Sequence, residues 1–261
     1  MSDAKNYLDA FNLTNRVAVV TGASSGLGVT FARALVSAGA SVVLAARRVE
    51  RLEELAKEIE DQGGKALAVK CDVAKEADVD ALVEATLSEF GTVDVLVNNA
   101  GVSHAAPAEF ETLEDFRRVV DVNLTGVFLC AQRFGRKMLE SNRGSIVNVA
   151  SILGHVASGQ IPQASYTASK AAVVNLTREL AAQWARRGVR VNGIAPGWFR
   201  SEMTTGMFED EHALKWIRKR TPAGRPGEEH ELAGTLLFLA SDASSYMYGQ
   251  TLVVDGGWTI I

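Results

Sequence analysis

Cysteine is scarce in this 261-residue chain: Cys71 and Cys130 are the only two, in or beside apolar segments. Neither belongs to a Cys-x-x-Cys pair or a Cys/His ligand spacing. That sets aside a disulfide scaffold and a zinc site and leaves two reduced thiols. The four histidines (His104, His155, His212, His230) are scattered and form no ligand pair, so no metal is expected. An excess of basic charge is lacking too: Lys and Arg number 27 against 31 Asp and Glu, a net charge of −4. Nucleic-acid binding requires a basic face, which this balance does not supply. The one dense basic run, Arg218-Lys219-Arg220, is offset by Glu209, Asp210 and Glu211 and reads as a solvated helix face. No basic stretch followed by an apolar core opens the chain, and no apolar run is long enough to span a bilayer. The expectation is a cytoplasmic protein with no membrane or nucleic-acid partner.

What is present is an ordinary globular composition, 47% hydrophobic and 22% charged, with ample material for a core. No linker rich in Ser, Pro or charge interrupts the apolar periodicity between Val17 and Val254. A single domain over residues 16–261 is expected, preceded by a short tail, residues 1–15. Short, largely β-branched runs read as strands: Val17–Val20, Val42–Leu44, Ala66–Val69, Val93–Val97, Ile146–Val149, Val189–Ile194 and Leu252–Val254. Between them lie stretches with helical spacing, such as Leu52, Leu55, Ile59 and Val79, Leu82, Val83. Strands apolar on both faces and separated by helices predict a parallel sheet covered on both sides. The fold class is therefore α/β, a doubly wound seven-stranded sheet with right-handed crossovers.

The first strand runs into Thr21-Gly22-Ala23-Ser24-Ser25-Gly26-Leu27-Gly28, and a helical stretch follows from Val29 to Ala38. Glycines at 22, 26 and 28 let the backbone turn tightly and approach a pyrophosphate without Cβ clashes. The helix then presents unpaired N–H groups and the positive end of its dipole to the phosphates. Placement between first strand and first helix makes this turn a dinucleotide signature rather than an ordinary loop. In such folds the end of the second strand meets the adenosine ribose, and a carboxylate there would repel a 2′-phosphate. Here that strand ends Leu44-Ala45-Ala46-Arg47-Arg48, with no carboxylate. Two arginines where a helix begins oppose the dipole, and a bound phosphate would offset the mismatch. NADP(H) is the cofactor expected, with NAD(H) second.

Taken with further motifs, these residues resemble the short-chain dehydrogenase/reductase family over essentially the whole chain, 3-oxoacyl-carrier-protein reductases among its members. The turn from Thr21 to Gly28 resembles the family's TGxxxGxG element. Asp72-Val73 resembles its adenine-contacting pair, and Asn98-Asn99-Ala100-Gly101 its NNAG segment. Asn123 resembles its helix-four asparagine, and Ser151 with Tyr166-Thr167-Ala168-Ser169-Lys170 its Ser and YxxxK set. Pro196-Gly197, followed by Phe199 and Ser201, resembles its PGxxxT stretch, with Ser201 in place of threonine; Asp255-Gly256-Gly257 resembles its C-terminal close. The segment between Ser151 and Tyr166 is about two residues longer than the family pattern. The resemblance implies a Rossmann-type fold, a nicotinamide cofactor and a homotetramer. The helix after Tyr166 and the one over Val119–Met138 would form subunit contacts.

Moving a hydride to or from a carbonyl carbon requires a proton on or off its oxygen. A tyrosine with the ordinary pKa of about 10 is a poor base at neutral pH, and a nearby ammonium favours its phenolate. Tyr166 and Lys170 are four apart and share a helix face. The resemblance implies the remaining roles. Tyr166 exchanges the proton with substrate, and Lys170 holds the nicotinamide ribose and lowers the tyrosine's pKa. Ser151 bonds the substrate oxygen, and Asn123 supports a water-linked proton path. A substrate lid is expected over residues 200–222, with Met203, Met207, Phe208 and Trp216 as its apolar underside. His155, Gln163 and Trp198 are candidate substrate contacts beside Ser151. Three functions are open. One is an NADPH-dependent ketone reductase, in which Arg136, Lys137, Arg143, Arg186 and Arg187 would dock an acidic carrier if the substrate were an acyl thioester. The others are an alcohol or polyol dehydrogenase using NAD and a non-catalytic redox sensor. The Asn123, Ser151, Tyr166, Lys170 set argues against the sensor.

Overall fold

In the computed structural model, which describes residues 6–261, the apolar runs form seven strands. They are β1 (Val17–Thr21), β2 (Ser41–Ala46), β3 (Ala66–Lys70), β4 (Val95–Asn98), β5 (Gly144–Val149), β6 (Val189–Pro196) and β7 (Thr251–Val254). Every neighbouring pair is parallel, in the order β3-β2-β1-β4-β5-β6-β7. The order reverses between β1 and β4, which opens a crevice at the carboxyl edge of the sheet.

Helices α1 (Leu27–Ser37), α2 (Val49–Asp61) and α9 (Ala233–Ala240) cover one face. The other is covered by α3 (Glu76–Phe90), α5 (Gly126–Glu140) and α6 (Ala164–Trp184), with α4 (Leu113–Val120) leading into α5. Alternation along each strand feeds both layers. Ala18 and Val20 pack with Phe31, Leu35 and Leu236, whereas Val17 and Val19 pack with Phe134, Met138 and Leu180. Two further helices, α7 (Thr205–Glu209) and α8 (Glu211–Arg220), lie within the expected lid. Arg218, Lys219 and Arg220 occupy the last turn of α8, where cations suit the helix dipole. Arg220 also lies over the rings of Trp216 and Trp258.

Within the segment expected as a tail, residues 1–15, part of the chain packs on the domain. Leu13 is 2% exposed in the core beside Phe31, and its N–H donates to the Ala38 carbonyl at 2.8 Å. The chain is therefore tied to the domain before β1 begins.

Cys71 and Cys130 are free thiols buried in the same layer. Burial pushes the Cys71 thiol up to about 12 and drives Cys130 upward as well. Only the thiolate attacks a disulfide reagent. Accordingly, an aromatic disulfide reagent at about pH 8 should leave both thiols intact in the folded chain and modify both after urea unfolding. Rapid modification of native protein would contradict the packing.

Candidate active site

The turn after β1 is shaped by positive φ angles, +68° at Gly22 and +52° at Gly26. A Cβ on Gly22 would stand 2.8 Å from Ala100 Cα, so the closest approach is backbone to backbone. Asn99 fixes this contact: its Nδ2 donates to the carbonyls of Thr21 at 3.0 Å and Gly22 at 3.2 Å. Thr21 Oγ1 in return accepts the N–H groups of Asn99 and Ala100, both at 3.1 Å. Gly26 is the N-cap of α1 and no side chain caps the helix, so its first N–H groups face the turn.

Below the turn opens a cavity of about 570 Å³. Its walls come from the carboxyl ends of successive strands: Gly22, Ser24, Ser25, Gly26 and Leu27 after β1, and Arg47 and Arg48 after β2. Asp72 and Val73 follow β3, Asn99, Ala100 and Gly101 follow β4, and Ser151 follows β5. Tyr166 and Lys170 enter from α6, and Pro196, Gly197, Phe199 and Ser201 close the side after β6. Met203, expected on the underside of the lid, also lines it, as do Arg118, Glu202 and Thr204, which carried no local signal of their own in the sequence.

Other candidates stand off the cavity wall. Gly28 is buried in the first turn of α1 against the Gly22 carbonyl. His155 is exposed, and Gln163 is the N-cap of α6, bridging to Ala106. Trp198 is 8% exposed and packs edge-on against Trp216 and Trp258, with ring centroids 5.5 and 5.4 Å away. Within the lid, Phe208 and Ile217 are buried, Met207 and Trp216 join that aromatic cluster, and Met203 is 45% exposed.

Asn123 lies behind the wall, in a π-helical turn (Asp121–Thr125) between α4 and α5. Fully buried, it accepts the Val102 N–H at 2.8 Å and donates to the Val102 carbonyl at 2.9 Å and to Ser169 Oγ at 3.2 Å. Ser169 bonds the Tyr166 carbonyl at 2.7 Å. Asn123 thus couples the segment after β4 to the helix that carries Tyr166, and π-turns often mark functional sites.

Lys170 is 3% exposed; its Nζ donates to the Val149 carbonyl at 2.7 Å and lies 5.6 Å from the centre of the Tyr166 ring. Burial lowers its pKa to about 8, which leaves it a cation at neutral pH. Burial also raises the Tyr166 phenol, and the Ser151 hydroxyl acts in the opposite direction. Tyr166 is therefore a protonated donor in the free chain, beside a cation that favours its phenolate.

A doubly wound sheet, a phosphate turn at the switch point and a Tyr/Lys pair at the crevice define a dinucleotide-dependent oxidoreductase. Residues 22–259 match the model of a family described as enoyl-(acyl carrier protein) reductase. The chain is 42% identical over 255 residues to the gluconate 5-dehydrogenase of Gluconobacter oxydans, covering 98% of this chain and 99% of that one. It is also 42% identical to a 3-oxoacyl-[acyl-carrier-protein] reductase of Synechocystis, covering 94% and 97%. Among solved structures, a gluconate 5-dehydrogenase from Burkholderia cenocepacia in complex with NADP and tartrate superposes with a TM-score of 0.94. It is 41% identical, with 98% of this chain and 100% of that one covered. The chain belongs to the short-chain dehydrogenase/reductase family.

Asn123→Ala would remove the partners of the N–H and carbonyl of Val102, which is half-buried at the cavity. Unfolding in urea should show a loss of about 2–4 kcal/mol, and a loss below about 0.5 kcal/mol would mean that other groups satisfy Val102.

Proposed function

We propose that this chain is an NADP(H)-dependent oxidoreductase that interconverts a ketone and a secondary alcohol, with Tyr166 as general acid/base. One observation carries the reading. Ser151, Tyr166 and Lys170 converge on a cavity whose other walls are a glycine turn and two arginines. The residues present fit the cofactor: Gly22 and Gly26 put bare backbone against a cavity of about 570 Å³, beside the first turn of α1, which no side chain caps. The glycine turn and α1 would hold the pyrophosphate, Asp72 and Val73 the adenine, Arg47 and Arg48 a 2′-phosphate, and Lys170 the nicotinamide ribose. Asn99, Ala100, Gly101, Pro196, Gly197, Phe199 and Ser201 would enclose the rest. When bound, the nicotinamide supplies or accepts the hydride.

The chain's own part is the proton. Ser151 positions the substrate oxygen, and Tyr166 gives that oxygen its proton in reduction or takes it in oxidation. Lys170 stabilises the phenolate between the two, and Asn123 supports resupply of the proton through water.

For the substrate, a small polyhydroxylated acid or its ketone is favoured over a carrier-bound thioester. The relatives named for gluconate support this, and so does the pairing of two of the five basic residues expected to dock a carrier. Arg143 is bound to Asp94 at 2.7 Å, and Lys137 is paired with Glu140. A homotetramer is part of the proposal. Ala168 and Ala171 of α6 are exposed, as are Phe110 in the turn before α4, Leu113 at the start of α4 and Phe128 of α5. Such an apolar outward face suits a symmetric partner. A cytoplasmic location is proposed on the two free thiols, which suit a reducing compartment. Among the described residues no helix is long and apolar enough to cross a membrane.

A panel of 5-ketogluconate, gluconate, simple ketones and an acetoacetyl thioester with both cofactors tests the reading. NADPH should exceed NADH in kcat/KM, and Tyr166→Phe should lower kcat by about 10²–10⁴-fold with cofactor Kd nearly unchanged. Reduction needs the phenol, so its rate should fall as pH rises through the Tyr166 pKa, while oxidation gains. Turnover close to wild type in Tyr166→Phe would refute the assignment. Light scattering that gives a single-chain mass would refute the assembly.

A further inference from the structure

Arg48, one of the two residues expected to meet a 2′-phosphate, is already engaged. Its Nη2 donates to Glu202 Oε2 at 2.7 Å and its Nη1 to Oε1 at 3.1 Å, a two-pronged grip on one carboxylate. Arg51 Nη1 donates to the same Oε1 at 2.5 Å. Arg48 Nη2 also reaches Ser25 Oγ at 2.9 Å and Ser24 Oγ at 3.1 Å. Two guanidinium groups beside two hydroxyls around one anion is the chemistry that holds a phosphate monoester. Here the anion is the protein's own carboxylate.

The two sides of this cage come from distant parts of the chain. Arg48 is the N-cap of α2 and Arg51 lies in its first turn, whereas Glu202 precedes α7 in the lid. Arg48 and Glu202 both line the cavity. The lid also lies on the phosphate turn, since a Cβ on Gly26 would come within 3.2 Å of Ser201 Cβ.

We propose that Glu202 sets the cofactor preference, as an internal anion that occupies the 2′-phosphate cage and must yield Arg48 when a phosphorylated dinucleotide binds. An unphosphorylated dinucleotide leaves the cage as it is. This inference rests on the NADP(H) reading of the same site. Specificity is a difference of two affinities, and Glu202 acts on one of them. A phosphate monoester carries about −1.5 to −2 charges against one on the carboxylate, so it takes the guanidinium when present. The exchange is also cheap: Arg48, Arg51 and Glu202 side chains are 44%, 49% and 49% exposed, and water screens their pairing. The hydrogen bonds from Arg48 and Arg51 hold the Glu202 carboxyl down at about 2, so it competes as an anion across the whole working range.

The test is the Kd of NADPH, NADH and adenosine 2′-monophosphate, measured by calorimetry on the full chain, its Glu202→Gln variant and its Arg48→Ala variant. Glu202→Gln should tighten NADPH and adenosine 2′-monophosphate by about three- to tenfold, the scale of two exposed ion pairs that no longer have to be broken. NADH should change by less than about twofold, and the gain should shrink as salt is raised. Equal tightening of NADPH and NADH, no change in either, or weaker NADPH binding would each overturn the proposal. The last outcome would make Glu202 a support that positions Arg48. Failure of the NADP(H) reading looks different. Wild type would then bind NADH more tightly than NADPH, with Arg48→Ala changing neither. If wild type prefers NADPH and Arg48→Ala abolishes that preference while Glu202→Gln is silent, only the role of Glu202 fails.

Discussion

A buried ammonium organises the centre of this protein. Lys170 is almost wholly removed from water, and among the described residues its one hydrogen bond goes to the Val149 carbonyl. Burying a cation costs several kcal/mol unless its partners are held in place. The fold holds them with a line of amides through the core. Asn98 of β4 donates to Asn148 of β5 at 2.9 Å, and Asn148 donates to Thr177 of α6 at 2.9 Å. That line fixes the rotation of α6 against the strand that supplies the carbonyl. A slip of one residue along α6 would turn Tyr166 and Lys170 by about 100° away from the crevice. Asn123 braces the same helix from its other side through Ser169.

The carboxyl and amino edges of the sheet divide the labour. At the carboxyl edge, glycines and Asn99 bring β1 and β4 together at the backbone, and little there serves stability alone. At the amino edge, Asp94 gathers the Val17 N–H at 2.9 Å, Arg143 at 2.7 Å and Arg16 at 3.4 Å. Burial pushes the Asp94 carboxyl upward, and the Val17 N–H and the Arg16 charge act in the opposite direction. The edge away from the cavity thus carries a knot of charge, and the edge that faces it stays open for a ligand. Arg143 belongs to that knot, whereas Arg136, Arg186 and Arg187 of the same basic patch are exposed.

How much of this was legible in the sequence follows from where each signal resides. The seven strands are legible because a sheet covered on both faces needs continuous apolar runs. β4 begins two residues late, at Val95, because Val93 and Asp94 precede the ladder, and β5 begins two residues early, at Gly144. The phosphate turn is legible because glycine spacing is local. The π-turn at Asn123 is not, since Asp121-Val122-Asn123-Leu124-Thr125 contains no glycine or proline to announce it. Arg51 and Glu202 escape notice because their meaning lies in a contact 151 residues apart. Trp198 reads as a substrate wall until Trp216 and Trp258 fold onto it. Tertiary packing then claims a residue that local pattern leaves available.

The two ends of the cavity are built on opposite electrostatic principles. Around Tyr166 and Lys170 the charge is buried and its partner is a backbone carbonyl on a strand held to α6 by core amides, so disturbing one group is expensive. Around Arg48 the charges are half exposed and their partners are side chains from two surface segments, so exchanging one anion for another costs little. Preference for one dinucleotide over another can therefore drift through single surface substitutions without moving the groups that handle the proton. On the proposed reading, catalytic geometry and cofactor choice are thereby uncoupled within one continuous crevice. The same separation explains why the Tyr/Lys pair could be read from four residues of sequence spacing, whereas the preference proposed for the other end turns on a contact between Arg48 and Glu202, 154 residues apart.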